Sequence, residues 1–281
     1  MTPATERKLA RNAARACLLI FLAIVVARFF VDIPYGWGLV PLGLWILITL
    51  GANRRAARAE GDGATGPAVA PVAVAAPVTG RWKALNSPAD KVPSHGTRAY
   101  GQTYAIDIVA EPEPGSRPAF GWWPLVRRNE EFPAFGAPLL AVADATVVRA
   151  EDGSRDHLSR TSWPAAVYLL ALEGPARALG GVRPMLGNHV ILDLGNGVHA
   201  LYAHVRRGSL TVRTGDRVRA GDPLGQCGDS GNSSEPHVHF QLMDAADPVT
   251  AQGVPFTWQG IGVPRNGEAF EAGTTRTTPA G

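Results

Sequence analysis

Short runs of β-branched and aromatic residues, separated by Gly, Pro and Asn, dominate this 281-residue chain from residue 82 onward. Such runs are typical of strands joined by tight turns. Examples are residues 104–109, 139–150, 189–194 and 198–205. The pattern predicts a mainly β domain, an antiparallel sheet or sandwich. Residues 162–172 differ, because a proline near the start and the absence of internal breakers favour a short helical insertion around 163–180.

The sequence Gly195-Asn196-Gly197 separates two of these runs, and Asn-Gly is a strong hairpin signal. Counting back from this turn pairs Leu192 with Leu201 and His189 with His204. Since side chains alternate along a strand, this register puts Leu192 and Leu201 on the core face and His204 on the opposite face.

Residues 16–52 are almost entirely apolar, interrupted by Arg28 and Asp32. Residues 33–52 provide twenty uncharged positions, and residues 16–27 reach spanning length if Arg28 snorkels to the interface. We expect a transmembrane helical hairpin, so that the lipid bilayer is a partner of the N-terminal segment. A single signal-anchor helix or a cleaved signal peptide is the alternative.

Composition divides the chain further. Residues 1–59 form the expected membrane anchor, and residues 60–80, rich in Ala, Pro, Val and Gly, form an expected extended linker. A β domain is expected over residues 81–262 and a flexible tail over 263–281. Residues 61–281 contain 19 basic and 21 acidic residues, which excludes a nucleic-acid-binding surface of high positive charge.

Two histidines in the sequence Pro236-His237-Val238-His239-Phe240 are spaced to lie on one face of a strand. Asp107 stands in an otherwise apolar run, where an unpaired charge is costly to bury. It either pairs locally or ligates a cation. The sequence has no HExxH, CxxC pair, GxSxG or Gly-rich nucleotide loop, which removes support for the corresponding enzyme classes.

Residues 95–245 resemble the lysostaphin/LytM-type zinc endopeptidases, metallopeptidase family 23, which have a duplicated-hybrid-motif fold. The motifs that carry the resemblance are Gly187-Asn188-His189-Val190, Tyr202-Ala203-His204, Val212-x-x-Gly215-Asp216-x-Val218, Gly228-Asp-Ser-Gly-Asn-Ser233 and Pro236-His237-Val238-His239-Phe240. Phe135-Gly-Ala-Pro-Leu, upstream, is similar to the opening strands of the family.

The resemblance implies one zinc ion held by His95, Asp107 and His239. It implies that His204 and His237 are catalytic histidines that do not bind the metal. We assign His237 as general base and His204 to the oxyanion or the leaving amine, and the two roles are exchangeable. His95 departs from the usual HxxxD spacing because it precedes Asp107 by twelve residues.

Asn188 is a further candidate, either for fixing nearby backbone or for binding a substrate amide. The implied function is hydrolysis of peptide bonds in peptidoglycan cross-bridges or stem peptides. A catalytically inactive relative that binds wall peptide or regulates another hydrolase is the alternative.

The implied substrate and the predicted membrane orientation place the catalytic domain on different sides of the membrane. Peptidoglycan requires an extracytoplasmic catalytic domain, whereas the basic residues flanking the apolar segment place both of its ends in the cytoplasm. We expect a cell-membrane protein whose catalytic domain is extracytoplasmic.

Overall fold

A computed structural model describes residues 3–28, 30, 31, 33, 34, 36–63 and 70–273. The chain divides into two compact units, Met1–Val69 and Ala70–Gly281.

The first unit consists of two helices that pack on each other, α1 (Pro3–Ala27) and α2 (Gly36–Gly63). Over its described residues, neither helix is both long enough and apolar enough to cross a bilayer. The predicted transmembrane hairpin is therefore not supported. In α1, only twelve residues follow Arg15 before the helix ends, whereas a span needs about 20 apolar residues.

The second unit holds the strands and three further helices. In chain order the strands are β1 (Val72–Val74), β2 (Gly80–Leu85), β3 (Ile106–Ala110), β4 (Pro138–Leu140), β5 (Ala145–Glu151), β6 (Asn188–Asp193), β7 (His199–Val205), β8 (Arg217–Val218), β9 (Pro223–Gln226), β10 (Val238–Met243), β11 (Gly253–Val254), β12 (Phe256–Trp258) and β13 (Ala269–Ala272). The helices are α3 (Trp163–Tyr168), α4 (Gly174–Gly180) and α5 (Val182–Leu186), with a π-helical stretch at Leu169–Glu173 and 3-10 turns at Ala99–Tyr104 and Asn129–Glu131.

One antiparallel sheet organises this unit. Its strands lie in the order β13-β2-β3-β10-β7-β6-β5-β8, with β11 also paired to β10. Two small sheets accompany it, the antiparallel pair β4-β9 and the parallel pair β1-β12. The prediction of a mainly antiparallel β domain is confirmed. The predicted helical insertion is also present, and Ser162 caps α3 by accepting a hydrogen bond from the amide of Ala165 at 3.3 Å.

The main apolar core covers one face of the sheet. Val238, Phe240 and Leu242 of β10 point into it, together with Tyr202 of β7. Because side chains alternate along a strand, His239 and Gln241 point to the opposite face. Burial of the apolar positions thus determines which face of the sheet presents the histidine.

The register predicted for the β6-β7 hairpin is wrong by one residue. Leu192 pairs with Ala200 and Ile191 pairs with Leu201. Leu201 therefore faces the smaller apolar cluster on the other side of the sheet, and Tyr202 takes the core position. A one-residue slip moves each side chain to the other face, so the faces predicted for Leu201, Tyr202 and Ala203 were reversed. His204 lies on the predicted face, opposite the main core, because the register shifts again between Tyr202 and Val205.

The predicted linker at residues 60–80 is wrong where the structure describes it. Residues 60–63 belong to α2, and residues 64–69 lie outside the described residues. Val72 of β1 pairs with Phe256 of β12, and Val74 and Val78 are buried in the core. The uncharged composition that suggested a tether reflects burial instead.

The predicted tail at residues 263–281 also contains structure. Phe270 of β13 pairs with Trp82 of β2 and contributes to the core. Residues 274–281 lie outside the described residues.

Candidate metal centre

Asp107 and His239 lie on neighbouring antiparallel strands, directly opposite each other in the β3-β10 register. Asp107 Oδ1 is 2.8 Å from His239 Nδ1. Both side chains are buried, on the face of the sheet opposite the main core. The strand pairing therefore brings a carboxylate and an imidazole together although they are 132 residues apart in the chain.

His95 reaches the same carboxylate from the loop between β2 and β3. Its Nε2 lies 2.9 Å from Asp107 Oδ2, and its Nδ1 lies 3.0 Å from Ser94 Oγ. Each of these three residues, His95, Asp107 and His239, offers one potential metal-ligand atom, and the three atoms lie within 4.8 Å of one another. His95 therefore reaches Asp107 although it precedes it by twelve residues, because the loop folds back toward β3.

His204 and His237 adjoin these three residues. His237 Nε2 lies 3.5 Å from Asp107 Oδ1, and the rings of His204 and His237 have centroids 4.8 Å apart. His204, His237 and His239 form a second group whose donor atoms also lie within 4.8 Å of one another. The structure therefore brings together all five side chains that the sequence singled out for metal binding and catalysis.

A β-bulge directs His204 toward this group. Between Tyr202 and Val205 of β7 there is one more residue than on the facing segment of β6, and His204 has a φ of 60°. Without the bulge, His204 would share the core-facing side with Tyr202. A positive φ is uncommon for a residue other than glycine, and such strain is found preferentially at functional sites.

Hydrogen bonds to the loop at residues 228–235 fix the orientation of both histidines. The Nδ1 of His204 donates to the carbonyl of Ser230 and the Nδ1 of His237 to the carbonyl of Glu235, each at 2.8 Å. Each ring therefore keeps its Nε2 for the centre. Gly228 permits this approach, because a Cβ there would lie 2.4 Å from the backbone of Arg206.

In His239 the other ring nitrogen, Nε2, makes the orienting hydrogen bond. It donates to Gln241 Oε1 at 3.0 Å, and Gln241 Nε2 in turn donates to the carbonyl of Tyr100 at 2.7 Å. Nδ1 of His239 is left facing Asp107. Hydrogen bonds of this kind orient metal-ligating imidazoles in known sites.

The charges in the centre are strongly coupled. Burial alone would raise the pKa of Asp107, but the neighbouring His95, His237 and His239 hold it well below its usual range. Burial opposes protonation of His237, yet attraction to Asp107 raises its pKa to about 9. Burial and repulsion from His237 and His239 lower the pKa of His204 well below its usual value.

The donor set fits a zinc ion. Two imidazole nitrogens and one carboxylate oxygen are common zinc ligands, and three protein ligands leave a fourth position for water or substrate, as in catalytic zinc sites. Burying the charged Asp107 carboxylate costs free energy that pairing with histidines need not recover. Its presence in the centre is therefore better explained by a role in binding a cation than by a contribution to folding stability. Three histidines can also hold zinc, but the group with Asp107 is the one that gives this buried charge a cation partner, and it is our candidate zinc site.

The remaining candidates lie elsewhere or have other roles. Asn188 is fully buried, and its amide bonds the backbone of Ser154 and Val205. Its proposed contact with substrate is therefore wrong, and the alternative of fixing backbone agrees with these bonds. Among the described residues, His189 belongs to neither group of metal-binding side chains.

Two polar residues that support the centre were missed. Gln241 continues the two-residue spacing of His237 and His239, so the alternation along β10 contained the signal that identifies it. Asn86 donates to Asp107 Oδ2 at 2.8 Å. It is brought there by the pairing of Leu85 with Asp107, which no local sequence pattern indicates.

Comparison with known proteins agrees with this geometry. Residues 173–251 match the sequence profile of Peptidase family M23. This segment includes His204, His237 and His239 but begins after His95 and Asp107. The two upstream ligand candidates therefore rest on the structure and on the resemblance of the motifs.

Two curated relatives match a similar length of sequence. The chain is 32% identical over 68 residues to the peptidoglycan DD-endopeptidase ShyA of Vibrio cholerae, and 43% identical over 58 residues to the glycyl-glycine endopeptidase ALE-1 of Staphylococcus capitis. These matches cover 24% and 20% of this chain, but only 15% and 16% of the relatives.

Among solved structures, the catalytic domain of lysostaphin from Staphylococcus simulans aligns with 48% of this chain and 85% of its own length, at 24% identity and a TM-score of 0.28. The matched profile and the named relatives agree on one family. Over residues 173–251, this chain matches peptidase family M23.

Proposed function

We propose that this domain is a zinc-dependent endopeptidase that hydrolyses peptide bonds in peptidoglycan cross-bridges or stem peptides. The observation that supports this most directly is the convergence of His95, Asp107 and His239, with His204 and His237 beside them on the same face of the sheet. The names of the relatives support a wall peptide as substrate.

When bound by His95, Asp107 and His239, zinc would polarise the scissile carbonyl and lower the pKa of a water molecule to about 7. His237 would accept a proton from the attacking water through Nε2, since it is the one of the two remaining histidines whose Nε2 lies near Asp107, at 3.5 Å. His204 carries its own proton on Nδ1, bonded to the Ser230 carbonyl, so its Nε2 must first take up a proton before it can donate one. The proton accepted by the adjoining His237 would supply it, and His204 would then donate from Nε2 to the developing oxyanion or the leaving amine. These roles give the two imidazoles opposite directions of proton transfer.

With a pKa of about 9, His237 is protonated at neutral pH when the metal is absent, and in that form it cannot act as a base. This high pKa depends on attraction to a fully available Asp107 carboxylate. When Asp107 shares its charge with a divalent cation, that attraction weakens, and the cation itself repels a protonated imidazole. We therefore expect the pKa of His237 to fall in the loaded enzyme, leaving a neutral ring that accepts a proton.

Zinc removal tests this function. The full-length chain, stripped with a chelator, should be inactive on peptidoglycan fragments and regain activity at about one equivalent of Zn²⁺, as expected for a single site. Mg²⁺ should not restore activity, since it prefers oxygen ligands. A chain that takes up less than about half an equivalent of zinc and stays inactive, yet binds wall peptide, would instead be the inactive relative.

We also propose that the domain works outside the cytoplasm, because its proposed substrate lies there. A reporter enzyme that is active only outside the cytoplasm, fused after Gly281, should be active in cells. A reporter that stays inactive while the fusion is stably produced would place the domain in the cytoplasm and contradict this location.

A further inference from the structure

A groove of about 1090 Å³ lies between the loop at residues 125–130, α3 and the end of β7. Its lining residue Asp156 contacts the loop at residues 228–231, which also orients His204. Leu125 and Tyr168 supply apolar lining, and Arg128, Arg155, Arg206 and Arg207 supply basic lining. All four arginines are exposed. This combination suits a ligand that is both acidic and partly apolar.

The positive charge of the groove is largely uncompensated. Within the described part of the chain, the guanidinium groups of Arg155 and Arg207 make no hydrogen bond or ion pair. Arg206 is held in place by Gln226 Oε1 at 2.9 Å and by the Phe135 ring, whose centroid is 4.9 Å away. Glu130 also lines the groove, so the arginines outnumber the exposed acid.

The second acidic residue of the groove, Asp156, is hydrogen-bonded by backbone amides. Its carboxylate accepts hydrogen bonds from the amides of Arg207 at 3.0 Å and Asp229 at 2.8 Å. Asp156 also forms a β-bridge with Ser230, whose carbonyl orients His204. Asp156 of the groove and the candidate catalytic histidine are therefore both attached to one short loop.

We propose that this groove binds the acidic portion of a wall peptide, so that the enzyme prefers substrates with free carboxylates over amidated ones. This inference rests on the proposed function and adds a substrate class to it. Guanidinium groups bind carboxylates through paired, charge-assisted hydrogen bonds. Leu125 and Tyr168 provide contact area for the apolar side chains of the same peptide.

The test compares two double variants of the full-length, zinc-loaded chain. Arg155→Gln with Arg207→Gln removes two charges from the groove. Arg217→Gln with Arg219→Gln removes two charges that are also exposed but lie outside the groove, at the β8 edge, and is the matched control. Substrates are soluble peptidoglycan fragments that are identical except for a free or an amidated carboxyl group on the stem peptide.

For the groove variant, KM on the free-carboxylate fragment should rise about tenfold, the effect of losing one charge-assisted contact, with kcat within about twofold. KM on the amidated fragment and both constants of the control variant should stay unchanged. An unchanged KM on the free-carboxylate fragment, or an equal rise on both fragments, would overturn the proposal. Added polyphosphate is tested as an inhibitor of both chains. If it inhibits the wild type but not the groove variant, while the KM values of the variant stay unchanged, the groove binds phosphate polymers and the proposal is overturned.

Calorimetric binding of the free-carboxylate fragment to the His237→Ala chain separates this proposal from the proposed function. Binding that weakens about tenfold when the two groove arginines are also replaced supports the groove even if the wild type hydrolyses no fragment. Binding that does not depend on the arginines, in a chain whose wild type does hydrolyse fragments, rejects the groove and leaves the proposed function standing.

Discussion

Replacing Asp107 with asparagine should remove zinc binding and hydrolysis together. Asp107 is the one carboxylate in the group with His95 and His239, and it contacts both histidines at 2.9 Å or less. An amide of the same shape preserves packing but loses the negative charge. Changes in residues that only support ligands already cost about 10–100-fold in metal affinity, so we expect a loss of more than about 100-fold here.

Thermal unfolding provides a readout besides activity. A ligand that binds only the folded chain stabilises it by about 4 kcal/mol at a thousand times its Kd. The Tm of the wild type should therefore rise with added Zn²⁺, whereas the Tm of Asp107→Asn should not. Asp193→Asn is the control, because Asp193 accepts only a turn amide and lies 4.0 Å from His199.

Retention of about one zinc per Asp107→Asn chain, as measured by metal analysis, would contradict this assignment. It would favour the alternative group of His204, His237 and His239, which contains no carboxylate. The function would then have to be reconsidered, because both candidate proton-transfer groups would be metal ligands.

The parts of the centre that the sequence predicted are those that depend on strand periodicity. The spacing of His237 and His239 indicates a shared face, and the apolar residues between and after them indicate the core side. Asp107 was recognisable as a charge in an apolar run. These inferences need only the two-residue repeat of a strand and the cost of burying a charge.

The parts that were not predicted depend on long-range pairing. The bulge that redirects His204 depends on the register in which β6 and β7 pair. It also depends on the hydrogen bond between His204 and the loop at residues 228–231. The ordered stretch at residues 70–80 depends on β12, which lies more than 170 residues away in the sequence. Local composition carries no information about such partners.

Replacing His237 with alanine should abolish most hydrolysis while leaving zinc bound, which is the opposite pattern to that of a ligand. General acid-base catalysis contributes about 10²–10⁴-fold, and we expect kcat to fall by that factor. Zinc content should stay near one per chain, since His95, Asp107 and His239 remain. His204→Ala should behave in the same way, because its Nε2 faces the same space.

His199→Ala is the matched control, since His199 lies on the same strand as His204 but outside both groups of metal-binding side chains in the described residues. Its activity and zinc content should equal those of the wild type. The double variant of His204 and His237 distinguishes cooperation from independent action. If the two imidazoles serve one proton-transfer sequence, the double variant loses little more than either single variant, because groups that act as a unit are not additive. Loss of zinc from either single variant would make that histidine a ligand and contradict its role in proton transfer.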